Sequence, residues 1–237
     1  MTFIYIVVNI IECLIEKLNI LHDYLARWNS VDTYLLFYDL ETTGLNPYHS
    51  KITEIAAHLY SVKEKKVIRQ YQSLVNPEIP IPEKITQITG ISDEMVKEKP
   101  MISVVMKEFI EFARLTKKEH TIYLIAHNND AFDKLFLRKY LLNGQYRIKS
   151  KLYFLDTMRF AQKLIPELGR YNLRKLCIHF GIQQEHAHRA RDDTLYMSML
   201  YEKLCTLLGL KVYSYLSHSE AEGLINHPTM IQNYIYS

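Results

Sequence analysis

The chain has 237 residues, of which 48% are apolar and 23% charged, and its formal net charge is +3. This composition excludes a disordered chain and predicts one domain of ordinary size, alone or with an appendage. The mild charge predicts no broad basic surface, so contacts with nucleic acid have to come from local clusters. The three cysteines, Cys13, Cys177 and Cys205, follow no C-x-x-C spacing. They therefore favour a reducing, intracellular location over secretion.

The first residues of the chain are strongly apolar, but they lack a basic start, and Glu12, Glu16 and Lys17 interrupt the run. A membrane span is therefore not predicted. Apolar residues continue at helical spacing as far as Trp28, which predicts an amphipathic helical extension over residues 1–30 that packs on the body or on a partner subunit. A membrane-surface helix is a weaker alternative because the polar face is not rich in lysine.

A near-continuous apolar run from Leu35 to Leu40 predicts a buried central strand. Asp39 and Glu41 stand two residues apart where this strand ends, so both side chains point to one face. Two carboxylates held together are unfavourable unless a cation lies between them, and Mg²⁺ prefers such hard oxygens. The alternative is that these acids only cap or turn the chain.

The rest of the chain first continues as a β-meander and then alternates helices with strands. This order predicts an α/β fold with a mixed sheet flanked by helices over residues 31–210, followed by a tyrosine-rich tail over residues 211–237. The predicted strands are Lys51–Ser61, Val67–Val75, Thr121–Ala126 and Leu152–Leu155, and the predicted helices are Pro82–Thr89, one from Ser92, Met101–Thr116, Leu135–Leu142, one capped by Asp156 or Thr157, Leu173–Phe180 and Ala190–Leu208.

Two more acidic positions follow in the sequence. Asp133 comes just after the second buried strand, at the start of a helix, where an acid can also serve only the helix dipole. His188 precedes Asp193, which lies inside the last predicted helix. A histidine with a pKa near 6.5 suits general-base chemistry at neutral pH, although a solvated helix start is the simpler reading.

The ordered set Asp39-x-Glu41, Ala126-His127-Asn128 to Phe132-Asp133, and His188-x-Ala190-x-x-Asp193 closely resembles the DEDDh 3′→5′ exonucleases. That family includes the DnaQ-like proofreading epsilon subunits, RNase T and the three-prime repair exonucleases. The segment from Asn76-Pro77 to Ile88-Thr89-Gly90-Ile91-Ser92 is similar to the family's stretch between its first two motifs. Three ordered motifs, each beside a predicted strand end or helix, make a specific signal.

The resemblance implies a ribonuclease H-like fold and a catalytic set of Asp39, Glu41, Asp133, His188 and Asp193. In that set the four acids hold two Mg²⁺ or Mn²⁺ ions, and His188 takes the proton of the attacking water. The resemblance also implies a group of substrate-binding residues. Leu45 and Ile88 flank the terminal base; the alternative is that they belong to the core. The backbone amides of Thr42 and Thr43 contact the terminal sugar. His127 and Asn128 shape the site.

The function implied is removal of nucleoside 5′-monophosphates from a free 3′ end, in repair or proofreading. Three residues separate Asn128 from Phe132, which resembles the three-prime repair group and favours a DNA exonuclease. The leading hypothesis is a 3′→5′ deoxyribonuclease that acts on single-stranded DNA. An exonuclease that trims RNA remains open, as does a non-catalytic module associated with a polymerase. A homodimer or a polymerase partner is compatible with the sequence.

Overall fold

The computed structural model describes residues 32–142, 146–183 and 190–213, together with residues 228, 232, 235 and 236. The predicted extension over residues 1–30, His188 and most of the predicted tail lie outside the described residues. In the part of the chain that is described, no helix is both long enough and apolar enough to cross a bilayer. Cys177 and Cys205 are free and buried.

The centre of the fold is a five-stranded mixed sheet with the order β3-β2-β1-β4-β5. Strands β1, β2 and β3 form the predicted antiparallel meander, while β4 and β5 run parallel to β1. The buried strand that carries the first two acids therefore lies in the middle of the sheet, as predicted. The strands are β1 Thr33–Thr42, β2 Ile52–Ser61, β3 Lys66–Leu74, β4 Thr121–Ala126 and β5 Lys151–Asp156.

Helices cover both faces of the sheet, which confirms the predicted α/β class. They are α1 Glu83–Thr89, α2 Asp93–Val96, α3 Ile102–Phe112, α4 Asp133–Leu141, α5 Thr157–Leu164, α6 Leu173–His179 and α7 Ala190–Tyr213, with a 3₁₀ turn at Pro166–Leu168.

Two helix ends differ from the prediction by four residues or more, while the others agree within one or two. Helix α3 was predicted to reach Thr116 but ends at Phe112, because Arg114 has a φ of 59° and turns the chain back towards β4. The last helix was predicted to end at Leu208 but continues to Tyr213 through Gly209. A glycine inside a helix costs about 1 kcal/mol, which one position among well-packed turns can absorb.

Alternation along β1 divides its side chains between the two faces. The ring of Phe37 meets Tyr201 of α7 at 5.5 Å between ring centroids, so α7 covers the face that Asp39 and Glu41 share with Phe37. On the other face the ring of Tyr71 lies 6.0 Å from Phe109 of α3. The packing of α7 thus brings its first turn to the acidic end of β1.

Candidate active site

Three acids from two distant parts of the sequence converge at the carboxyl end of β1. Asp39 and Glu41 come from the strand, and Asp193 comes from the first turn of α7. One carboxylate oxygen of each lies within 4.8 Å of the others, and all three residues are half-buried. Their spacing fits a single cation held between hard oxygen ligands.

Asp133, the first residue of α4, lies beside this group. Strands β1 and β4 pair only as far as Phe37 and Ile125, so the Leu40 amide beyond that point is free to bond elsewhere. It donates to Asp133 Oδ1 at 3.1 Å. The carboxylate is 2% exposed, and its charge acts on Asp39. Asp133 is therefore adjacent to the three-acid group without belonging to it.

The electrostatics of the site favour a positive partner. Burial raises the pKa of Asp39 well above its ordinary range, and the charges of Asp133, Glu41 and Asp193 raise it further. Burial raises the pKa of Asp133 to about 8, although the hydrogen bond from Leu40 partly offsets this. Carboxylates brought this close are costly when ionised. A divalent cation removes that cost, so the donor set fits the Mg²⁺ or Mn²⁺ that the sequence predicts.

Two buried residues connect the strands and turns beneath the site by hydrogen bonds. Neither of them is assigned to the site from the sequence alone. Asn129 is fully buried; its Oδ1 accepts from the Tyr38 hydroxyl, and its Nδ2 donates to the carbonyls of Leu124 and Leu155. It thereby connects β1, β4 and β5. Because its burial depends on three strands from separate parts of the chain, no local signal in the sequence identifies it.

The second is Asp156, at the end of β5. Its predicted role as a helix cap is confirmed, because the carboxylate accepts from the amides of Met158 and Arg159 in α5. It also accepts from the amides of Asn128 and Asp130. This residue therefore fixes the turn that leads into Asp133.

The turn after Glu41 is fixed by its own hydrogen bonds. The Thr42 hydroxyl donates to the Gly44 carbonyl at 2.7 Å, and the Thr43 amide donates to the Lys51 carbonyl at 2.8 Å. A Cβ at Gly44 would meet Ser50 Oγ at 2.8 Å, so a larger residue there would require the Ser50 hydroxyl to move. The Thr43 amide, predicted to contact the terminal sugar, is already engaged within the turn.

The two apolar residues predicted to flank a base are exposed. Leu45 is 81% exposed and Ile88, on α1, is 52% exposed. The alternative that they belong to the core is therefore wrong. Exposed apolar side chains are what a stacking surface for bases needs.

His127 and Asn128 occupy the exit of β4. The His127 Nε2 lies 2.7 Å from the Tyr171 carbonyl and must donate to it, so Nδ1 accepts from the Thr157 hydroxyl at 2.9 Å. Burial lowers the pKa of His127 to about 4, so the ring is neutral, and it is bonded to the first residue of α5 and to the loop before α6. Asn128 has a φ of 62°, a conformation that asparagine tolerates better than most residues.

Comparison with known proteins agrees with this geometry. The RNase_T family model, described as "Exonuclease", matches residues 36–201. The chain belongs to this exonuclease family. The predicted family of DEDDh-type 3′→5′ exonucleases is thereby confirmed, and with it the enzyme class, a phosphodiester hydrolase.

The similar sequences include parts of DNA polymerases of the PolC type. A DNA polymerase III PolC-type from Clostridium perfringens is 36% identical over 162 residues, which cover 68% of this chain and 10% of the polymerase. The corresponding polymerase from Caldanaerobacter subterraneus is 32% identical over 188 residues, covering 78% of this chain and 13% of the polymerase. This exonuclease chain thus matches only a small part of those polymerases.

Solved structures show the same fold. Exonuclease X in complex with 5′ overhanging duplex DNA is 22% identical with a TM-score of 0.53, and the match covers 81% of this chain and 98% of that one. Escherichia coli Exonuclease I in complex with a dA16 oligonucleotide is 18% identical with a TM-score of 0.60, covering 82% and 43%. The predicted ribonuclease H-like arrangement is confirmed at the level of the fold.

Proposed function

We propose that this exonuclease removes nucleoside 5′-monophosphates from the 3′ end of single-stranded DNA with the help of two divalent cations. The observation that carries the proposal is the convergence of Asp39, Glu41 and Asp193 within 4.8 Å, with Asp133 alongside. The DNA bound in the exonuclease X and exonuclease I structures, and the polymerases among the relatives, support DNA as the substrate.

Asp39, Glu41, Asp133 and Asp193 would hold the cations. When bound, such ions supply an activated water and stabilise charge on the phosphate and the leaving oxygen. The chain itself contributes orientation: the fixed turn after Glu41 presents Leu45, and α1 presents Ile88, on either side of the terminal base. Stacking on aliphatic side chains tolerates any base, which suits an enzyme that shortens a strand regardless of sequence.

His188 is proposed as the base that takes the proton of the attacking water. His127, which lies in the second motif, is unsuited to that role because both ring nitrogens are engaged and its pKa is lowered to about 4. We expect His188→Ala to lower the rate and change its pH profile near neutrality, whereas His127→Asn should lower stability without that change of profile. An unaltered profile for His188→Ala would contradict the proposed role.

A panel of labelled substrates tests the proposal. One oligonucleotide sequence is prepared as single-stranded and double-stranded DNA and as RNA, each labelled at the 5′ or the 3′ end, and incubated with Mg²⁺ or with EDTA. The expected result is immediate release of a labelled mononucleotide from 3′-labelled single-stranded DNA, and a descending ladder from the 5′-labelled strand.

The controls and contrary outcomes separate the alternatives. Asp39→Asn combined with Asp193→Asn should abolish cleavage, and so should EDTA. Faster cleavage of the RNA would show that RNA, and not DNA, is the preferred substrate. Immediate release of label from 5′-labelled strands would show that the enzyme acts from the 5′ end. Strand binding without any cleavage would favour a non-catalytic module associated with a polymerase.

A further inference from the structure

A fifth acid faces the three-acid group from the neighbouring strand. Glu54 of β2 stands directly opposite Glu41 in the antiparallel register. Residues that face each other across two strands share one side of the sheet, so Glu54 lies on the face that α7 covers. Its side chain is 0% exposed, and its charge contributes to raising the pKa of Asp39.

The register places this pair at a defined break in the sheet. Regular pairing continues through Glu41 and Glu54, and it shifts immediately afterwards, where Thr42 pairs with Ile52. A bulge at such a point redirects the side chains beside it and is common next to active sites. The Glu41–Glu54 pair is thus the last regular step of the ladder before the chain turns away.

Glu54 is held in place from the third strand. Gln72 of β3 donates from Nε2 to Glu54 Oε1 at 2.8 Å. Gln72 itself stands opposite Ala56, which in turn stands opposite Asp39. Glu54 and Ala56 are alternate residues of β2 on one face, so the Gln72 amide reaches Glu54 diagonally across the two strands.

We propose that Glu54, held by Gln72, is a positioning residue of the metal site. Its negative charge adds to the field that attracts a divalent cation, and its position opposite Glu41 keeps that ligand facing Asp39 and Asp193. Partners behind metal ligands typically change metal affinity by about 10- to 100-fold when they are removed. This inference rests on the proposed function, since it assigns a role towards the same cations.

Binding of Mn²⁺ to the full chain, measured by calorimetry without nucleic acid, tests the proposal. Glu54→Gln keeps the shape of the side chain and an oxygen that can accept from Gln72, so it removes only the charge. We expect the dissociation constant for Mn²⁺ to rise about tenfold, while the melting temperature in EDTA stays equal or rises, because one of several like charges is gone. A residue with only a structural role would lower that melting temperature.

Gln72→Ala tests the second half of the proposal, because it leaves the charge but frees the carboxylate. We expect the dissociation constant to rise about threefold, less than for loss of the charge itself. Gln70→Ala is the matched control on the same strand and face, opposite His58. Glu202→Gln removes an exposed charge about 14 Å along α7 from Asp193. Both controls should bind Mn²⁺ as the wild type does.

The contrary results are distinct. A Glu54→Gln chain that binds Mn²⁺ within twofold of the wild type, or that fails to fold in EDTA, overturns the proposal. Gln72→Ala indistinguishable from Gln70→Ala overturns the part played by Gln72. Failure of the wild-type chain itself to bind Mn²⁺ would instead contradict the proposed function, so the two failures cannot be confused.

Discussion

Two groups of acids lie at the carboxyl end of the sheet, and they are stabilised in different ways. Asp156 accepts four backbone N–H groups, and Asp130 forms ion pairs with Lys134 at 2.8 Å and Arg159 at 3.3 Å. For Asp39, burial and the neighbouring acids all raise the pKa. The chain supplies charge-assisted hydrogen bonds and ion pairs to the first group, whereas under the proposed function a bound cation compensates the charge of the second group, which consists of Asp39, Glu41, Asp133 and Asp193. This difference separates acids that build the scaffold from acids that serve the chemistry.

The largest effect is expected from removing a charge in the second group. Asp39→Asn or Asp193→Asn should lower the rate of hydrolysis in Mg²⁺ about a thousandfold or more, since a metal ion contributes several kcal/mol to such a reaction. The melting temperature in EDTA should not fall, because repulsion is relieved. Asp130→Asn, in the first group, is the control and should retain most of the rate. Wild-type turnover in both site variants would end the metal-site interpretation.

The reverse pattern is expected for the scaffold acid Asp156. Asp156→Ala should lower the free energy of unfolding by about 3 kcal/mol, because four backbone N–H groups lose a charged acceptor. Urea unfolding measures this loss, and Asp156→Asn should lose less because its amide oxygen still accepts. A change below about 0.5 kcal/mol, within the range of ordinary surface substitutions, would show that the turn before Asp133 does not depend on this residue.

The pH dependence of stability should follow the raised pKa values of the second group. An acid whose pKa is raised from 3.8 to about 8 in the folded chain, as for Asp133, binds its proton more tightly when folded. His127, whose pKa is lowered from 6.5 to about 4, contributes in the opposite direction up to about pH 6.5. Stability without metal should therefore fall most clearly between about pH 6.5 and pH 8, where only the acid still exchanges its proton. Thermal unfolding in EDTA across this range tests the sign.

Thermal unfolding in Mg²⁺ provides the comparison with unfolding in EDTA. Mg²⁺ should restore stability most strongly near pH 8, where the carboxylates are ionised, and least near pH 5, where protons compete with it. Asp133→Asn should flatten the fall seen in EDTA. Stability that rises in EDTA between about pH 6.5 and pH 8 would contradict the raised pKa of Asp133.

The smallest effect is expected at the ion pairs of Asp130. Lys134 and Asp130 are 26% and 21% exposed in their side chains, and Arg159 is 53% exposed. Such partly solvated pairs contribute little, so Lys134→Ala and Arg159→Ala should each lower the free energy of unfolding by about 0.5 kcal/mol. High salt should reduce the difference between each variant and the wild type. A loss above about 2 kcal/mol would mean that Asp130 belongs to the buried scaffold like Asp156.

The sequence predicted the elements whose signals are local. The apolar run before Asp39 identified the central strand, and the spacing of Asp39 and Glu41 identified their shared face. The prediction that Asp193 lies beside them depended on all three motifs occurring in the right order, because no single motif is specific enough. Helix α3 was overextended because the turn at Arg114 arises from the return to β4, which periodicity does not reveal.

The residues missed were those whose partners are distant in the sequence. Asn129 looked like a spacer between motifs, yet it bonds to β1, β4 and β5. Glu54 looked like one more residue of a strand, because only the register shows that it faces Glu41. Asp130, which no motif includes, pairs with Lys134 and Arg159. Side-chain hydrogen bonds between strands are set by topology, and a single sequence does not display topology directly.

The bond from the Leu40 amide to Asp133 has a kinetic consequence. It joins two segments 93 residues apart, and Asn129 ties the neighbouring strand ends together through its own hydrogen bonds. Because these bonds form between atoms of the chain itself, they should hold Asp133 in place whether or not an ion is bound. The rate of Mg²⁺ binding should then be limited by loss of water from the hydrated ion. No slow rearrangement of the polypeptide should precede it.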